Sequence, residues 1–83
     1  MKYIIFDDFA AMPTAILFPN RIGHAEMREQ IPYAKVISAG YVEAPPGGDI
    51  RCRGSAPDLR THSREDKDAA IIQKQFTETD LDS

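Results

Sequence analysis

Four arginines, Arg51, Arg53, Arg60 and Arg64, fall between residues 51 and 64, and the only acid among them is Asp58. Four cations against one anion give this segment a charge of +3; with a total of -3, the rest of the chain sums to -6. A guanidinium presents a planar fork of donors that matches carboxylate or phosphate, so the cluster points to an anion or an acidic partner. In the hairpin expected below, Tyr41 lies beside Arg51 and offers a ring for stacking. Tyr and Arg are also the residues enriched at binding hot spots. The competing reading is a solvated strand face and loop, neutralised by Glu43, Glu65 and Asp66.

Other residues carry weaker signals. Asp7-Asp8 ends an apolar run, but hard cations need several oxygen ligands, and no EF-hand spacing surrounds the pair. Neighbours in a strand also point to opposite faces. His24-Ala25-Glu26 matches half of a zinc deaminase signature and lacks the P-C-x-x-C half. On a helix, positions i and i+2 do not face each other, so His24 is expected to pack beside Met27 at a helix start. Ser55 lies in Gly54-Ser55-Ala56 rather than in a G-x-S-x-G elbow. Cys52 and His62 form a Cys–His pair only if the fold joins them, and alternation turns Cys52 inward with Ile50. Gly47-Gly48 lacks the phosphate-loop pattern and reads as a hairpin turn. No catalytic residue, metal ligand or cofactor is therefore assigned.

These side chains must be positioned by a small scaffold. The chain has 83 residues, 42% hydrophobic and 28% charged. That suits one domain with a thin stability margin. No apolar run approaches the ~18 residues of a membrane span. A secretory leader is not expected, because Asp7 and Asp8 interrupt the early apolar stretch. A single cysteine permits no internal disulfide, which favours a reducing, cytoplasmic setting. The net negative charge argues against a general nucleic-acid binder.

Lys2–Phe6 is a β-branched and aromatic run, apolar on both faces, and reads as a central strand. Thr14–Phe18 is a second run, bounded by Pro13 and Pro19. The short link between them favours an antiparallel hairpin. Gly23–Gln30 predicts a short helix with Gly23 as N-cap and Glu26 at N3. Pro32 should stop it. Tyr33–Ala44 reads as a third strand, in which Gly40 signals a bulge or a tight backbone contact. Residues 44–48 form a turn, and Asp49–Arg53 alternates as a fourth strand. This loop sets Val42 opposite Ile50, Tyr41 opposite Arg51, and Glu43 against Asp49. Residues 54–62 read as a connection anchored by Leu59. Ser63 then opens a helix with a capping-box-like Asp66 and an apolar face of Ala69, Ile72 and Phe76.

The expected fold is α+β: about four antiparallel strands in two hairpins, with two short helices on one side. Residues 1–76 make the domain, and 77–83 an acidic, frayed tail. The expected core is Tyr3, Ile5, Phe6, Ile16, Phe18, Met27, Val36, Val42, Ile50, Cys52, Ile72 and Phe76. A sheet face left bare would invite homodimerisation. The functional expectation is a non-enzymatic interaction or regulatory protein that binds a macromolecular partner, a protein first, through Tyr41, Arg51, Arg53, Arg60 and Arg64. A nucleic-acid module using the same arginines stands second, and no membrane is involved.

Overall fold

The computed structural model describes residues 1–7, 12–31 and 34–82, the last seven of these by their backbone. Asp8, Pro32, Tyr33 and the side chain of Phe76 lie outside the described residues. The elements are β1 (Lys2–Asp7), β2 (Pro13–Phe18), α1 (His24–Glu29), β3 (Lys35–Glu43), β4 (Arg51–Arg53), β5 (Ser55–Ala56), a 3-10 turn (Pro57–Leu59), β6 (Thr61–His62) and α2 (Glu65–Asp82). The helical backbone of α2 continues through the acidic stretch 77–82. No described helix is long and apolar enough to cross a membrane.

The expected α+β class and the four-stranded antiparallel sheet are both present, in the order β2-β1-β3-β4. β1 is central because both of its faces are apolar and both find cover. Tyr3 and Ile5 pack with Ala15, Val42, Cys52 and Ile72 of α2. Ile4 and Phe6 pack on the other face with Phe18, Ala39 and Ala56, under Met27 of α1 and Leu59 of the 3-10 turn. The two helices thus lie on opposite faces rather than on one. The reason is in β1 itself: burying one large apolar side chain is worth about 1.5–3 kcal/mol, and a bare face would forfeit several such contributions. The uncovered face that motivated a homodimer is accordingly occupied by the chain's own elements.

The β3–β4 hairpin shows a second correction. Tyr41 opposes Arg53, Val42 opposes Cys52 and Glu43 opposes Arg51, two residues away from the expected register. A longer loop, residues 44–50, absorbs the difference. The observed register replaces the unfavourable Glu43–Asp49 pair with an opposite-charge pair. A shift of two leaves every side chain on its original face.

Gly40 marks a close backbone approach. A methyl group there would sit 2.6 Å from the Arg53 carbonyl oxygen and 3.1 Å from the Ser63 Cβ. The bulge lies nearby instead, at Ile37, between the pairs Ile5–Ser38 and Phe6–Val36. Residues 54–62, expected as a plain connection, fold into a β5–β6 ribbon around the 3-10 turn. Gly54, at φ +80°, allows the kink that leaves β4.

The caps are partly borrowed from afar. Gly23 is the N-cap of α1, and the Glu26 carboxylate accepts from the Gly23 N–H at 3.0 Å. Glycine has no side chain to bond the next free amide. Asp58 supplies that acceptor from the 3-10 turn, taking the Ala25 N–H at 2.9 Å. α2 begins at Glu65, two residues after Ser63.

The two sheet edges differ. At β2, the Gln75 side-chain amide accepts from the Ala15 N–H and donates to the Ala15 carbonyl, both at 2.9 Å. A glutamine from α2 therefore stands where another strand would pair. Among the described residues β4, at the opposite edge, pairs with β3 alone.

Candidate partner-binding site

Alternation along β3 and β4 places Tyr41, Glu43, Arg51 and Arg53 on the α1 side of the sheet and Val42 and Cys52 on the α2 side. Tyr41 is 37% exposed, and its ring packs against Gly54, where a methyl would meet Cδ1 at 3.1 Å. The ring also stands edge-on to His24, with centroids 5.8 Å apart. His24 is itself buried, contacts Phe18 edge-on at 5.4 Å, and donates from Nε2 to the Gly40 carbonyl at 2.9 Å. Tyr41 is thus an exposed aromatic on a fixed base.

The four arginines divide by role. Arg53 pairs with Glu43 at 2.5 Å, and both side chains are well exposed, so the pair is worth little in stability. Arg51 is exposed on the same strand. Arg60 is exposed beyond the 3-10 turn, in the left-handed conformation at φ 53°. Among the described residues no ion pair engages Arg51 or Arg60. Arg64 turns inward: its Nε and terminal nitrogen reach Asp68 Oδ1 at 3.1 and 3.0 Å. The structure therefore brings Tyr41, Arg51 and Arg53 together on one strand pair, and ties Arg64 to a buried acid.

A cleft of about 480 Å³ runs between β4 and the first turns of α2. Arg51 and Arg53 line one wall and Glu65 and Asp66 the other, with Ile50, Cys52 and Ala69 also lining it. A second groove of about 480 Å³, bordered by Met1, Leu17, Val42, Ile50 and Ile72, shares Glu43 and Ile50 with the first. The first cleft is amphipathic and the second mainly apolar.

Behind the cleft lies a polar cluster that the sequence reading did not single out. Asp68 is fully buried in α2. Its carboxylate accepts from the Tyr3 hydroxyl at 2.6 Å, the Ser38 hydroxyl at 2.8 Å and the Arg64 N–H at 2.9 Å. The Tyr3 oxygen lies 2.7 Å from Ser63 Oγ, whose proton it can accept. Burial, with Asp68 beside it, holds the Tyr3 phenol well above its ordinary ionisation range. Burial likewise pushes the Cys52 thiol up to about 11. Among the described residues no buried side-chain polar atom lacks a hydrogen bond. This cluster locks β1, β3 and α2 together. One signal could have revealed it: Asp68, Ile72 and Gln75 share a stripe at i, i+4, i+7, which puts a carboxylate on the buried face.

The weaker candidates are dispersed. Cys52 is buried among core side chains, whereas His62 is exposed on β6. Asp7 ends β1 opposite Lys35. No metal-ligating group of three or more His, Cys, Asp or Glu side chains forms among the described residues. Comparison of the chain with protein-family models, with curated proteins and with solved structures gives no match.

Proposed function

We propose that this chain is a small non-enzymatic binding protein whose partner is another protein, engaged along β4 by Tyr41, Arg51 and Arg53. The observation that carries the reading is the contrast between the two sheet edges. β2 is stoppered by Gln75, whereas β4 faces a cleft rimmed by charge and floored by apolar groups. An apolar strip with a charged rim is the usual make-up of an interface, and a fixed aromatic beside arginines is the usual make-up of its centre. The division of the arginines favours a protein over nucleic acid, since Arg53 and Arg64 already hold carboxylates. A reducing, cytoplasmic setting belongs to the same reading, because the single cysteine is a buried thiol.

The test is capture of partners from the native host with the wild-type chain and with an Arg51→Glu/Arg53→Glu variant. Circular dichroism should show the same fold for both, because the substituted side chains are exposed. The reading expects the captured set to lose a specific member. An unchanged set with an intact fold overturns it.

A further inference from the structure

We infer that β4 takes up an extended segment of the partner as an added strand, with acidic side chains facing Arg51 and Arg53 and apolar ones facing the Ile50–Cys52 side. This rests on the reading above and gives it a binding mode.

The first argument is backbone chemistry. An edge strand presents N–H and C=O groups in the sheet plane that another chain can pair with. Gln75 removes that opportunity at β2 by bonding both groups of Ala15. Nothing comparable covers β4 among the described residues; β3 pairs with it on one side, and the cleft opens beside it. α2 forms the far wall of that cleft, so an extended chain would lie between a strand and a helix.

The second argument is alternation. A strand added to β4 continues the period of two, so its successive side chains meet different surroundings. On one face they meet Arg51 and Arg53; Arg53 is paired with Glu43, so Arg51 is the cation whose cross-strand pairing favours Asp or Glu. On the other they meet Ile50, Cys52 and Ala69, a small apolar floor flanked by Glu65 and Asp66, whose carboxylates disfavour acidic side chains on that side. The matching segment alternates acidic and apolar residues.

The third argument concerns a second copy of the chain as the occupant. Antiparallel self-pairing of Arg51–Arg53 about Cys52 would set Arg51 against Arg53 on both sides. Like charges directly opposed are unfavourable, and charged edges are a common guard against self-association. Charge therefore selects an acidic segment over another β4.

The experiment uses the full chain and synthetic peptides of about six residues, the usual length of a strand. One peptide alternates Glu and Val, a second alternates Lys and Val. Two further Glu/Val versions are N-methylated at alternate amides, one in each phase. Fluorescence anisotropy should show the Glu/Val peptide binding at least about tenfold more tightly than Lys/Val. Amide exchange should slow at Cys52, whose N–H points away from β3 because its partner Val42 bonds to Met1 instead, and one methylated phase should abolish binding. The Arg51→Glu/Arg53→Glu variant should reverse the preference. Equal binding of the Glu and Lys peptides, equal binding of both methylated phases, protection confined to other segments, or no binding of Glu/Val at about millimolar concentration each overturns the inference. If strand addition fails while partner capture still depends on Arg51 and Arg53, the binding face survives and only its mode falls. If capture ignores those arginines, the parent reading falls.

Discussion

The Tyr3 hydroxyl donates to Asp68 Oδ2 at 2.6 Å, joining the central strand of the sheet to the long helix across a separation of 65 residues. Both side chains are fully buried. In a domain this small, such a contact decides how α2 sits on the sheet, and hence the width of the cleft beside β4.

Removing the two ends of that contact should therefore cost different amounts. Asp68→Ala strands the Tyr3 and Ser38 hydroxyls in the interior, and Arg64 loses its only ion-pair partner among the described residues. The Arg64 side chain is 34% exposed and can turn to water, so the loss comes mainly from the two hydroxyls; each buried donor left unpaired costs about 1–3 kcal/mol, together a large part of the margin of a small domain. Tyr3→Phe leaves Asp68 its Ser38 and Arg64 donors and should cost about 1.5–3 kcal/mol. Urea denaturation of both variants checks the order; equal losses would contradict the role given to Asp68.

Alkaline pH should destabilise the fold. The Cys52 thiol is raised from 9.0 to about 11 in the folded chain. The folded state thus favours the protonated thiol, and its contribution is complete below about pH 9 and lost as pH rises toward 11. Two pH units correspond to roughly 2–3 kcal/mol at most. Tyr3 acts in the same direction from about pH 10 upward, so its loss overlaps the upper half of this range. Thermal melts across this range should show the decline, and Cys52→Ala should flatten its first part. A wild-type profile that stays level from pH 9 to 11 would refute the assignment.

Two glycines of different kinds make a comparison. Gly40→Ala drives a methyl against the Arg53 carbonyl oxygen, a backbone atom that cannot swing aside. The expected loss is about 3 kcal/mol, at the upper end for overpacking. Gly47 has φ +70° but nothing within 4 Å of an added methyl. Gly47→Ala should therefore cost only the left-handed strain, about 1–2 kcal/mol. Chemical denaturation of the pair tests the ranking, which would be wrong if Gly47→Ala proved the more damaging.

Gln75→Ala should unmask the β2 edge. The Ala15 N–H and carbonyl lose their partners, at a cost of about 1 kcal/mol. The larger effect should be on association, because an open edge strand is a template for another chain. Sedimentation should show the variant associating with concentration under conditions in which the wild-type chain does so less. Identical sedimentation of the two would remove Gln75 from the role of edge guard.

Much of the scaffold was legible along the chain, and the reason is that it is local. The two-faced apolar run at Lys2–Phe6 announces a strand that needs cover on both sides. Gly23 and Glu26 mark the start of α1 at the right spacing, and Gly40 marks a close approach before any neighbour is known. The candidate arginines were legible as a group; their division was not. Arg64 and Arg51 look alike in sequence, and only the burial of Asp68 beside one of them separates an internal ion pair from a surface cation.

The amino-acid order by itself determined the four strands of the main sheet, the two helices and the apolar side of each, because periods of two and 3.6 are written into neighbouring residues; the short β5–β6 ribbon carries no such period. The tertiary structure alone decided the strand order, the placement of the helices on opposite faces, the register of β4 and the closing of one sheet edge. A two-residue slip of β4 keeps every side chain on its face, so alternation cannot detect it; the pairing of Glu43 with Arg51 rather than Asp49 does. Likewise, Asp68 can be buried only because Tyr3 and Ser38, 65 and 30 residues away, arrive with their hydroxyls. Such contacts link groups that share no local pattern, and they exist only once the chain has closed on itself.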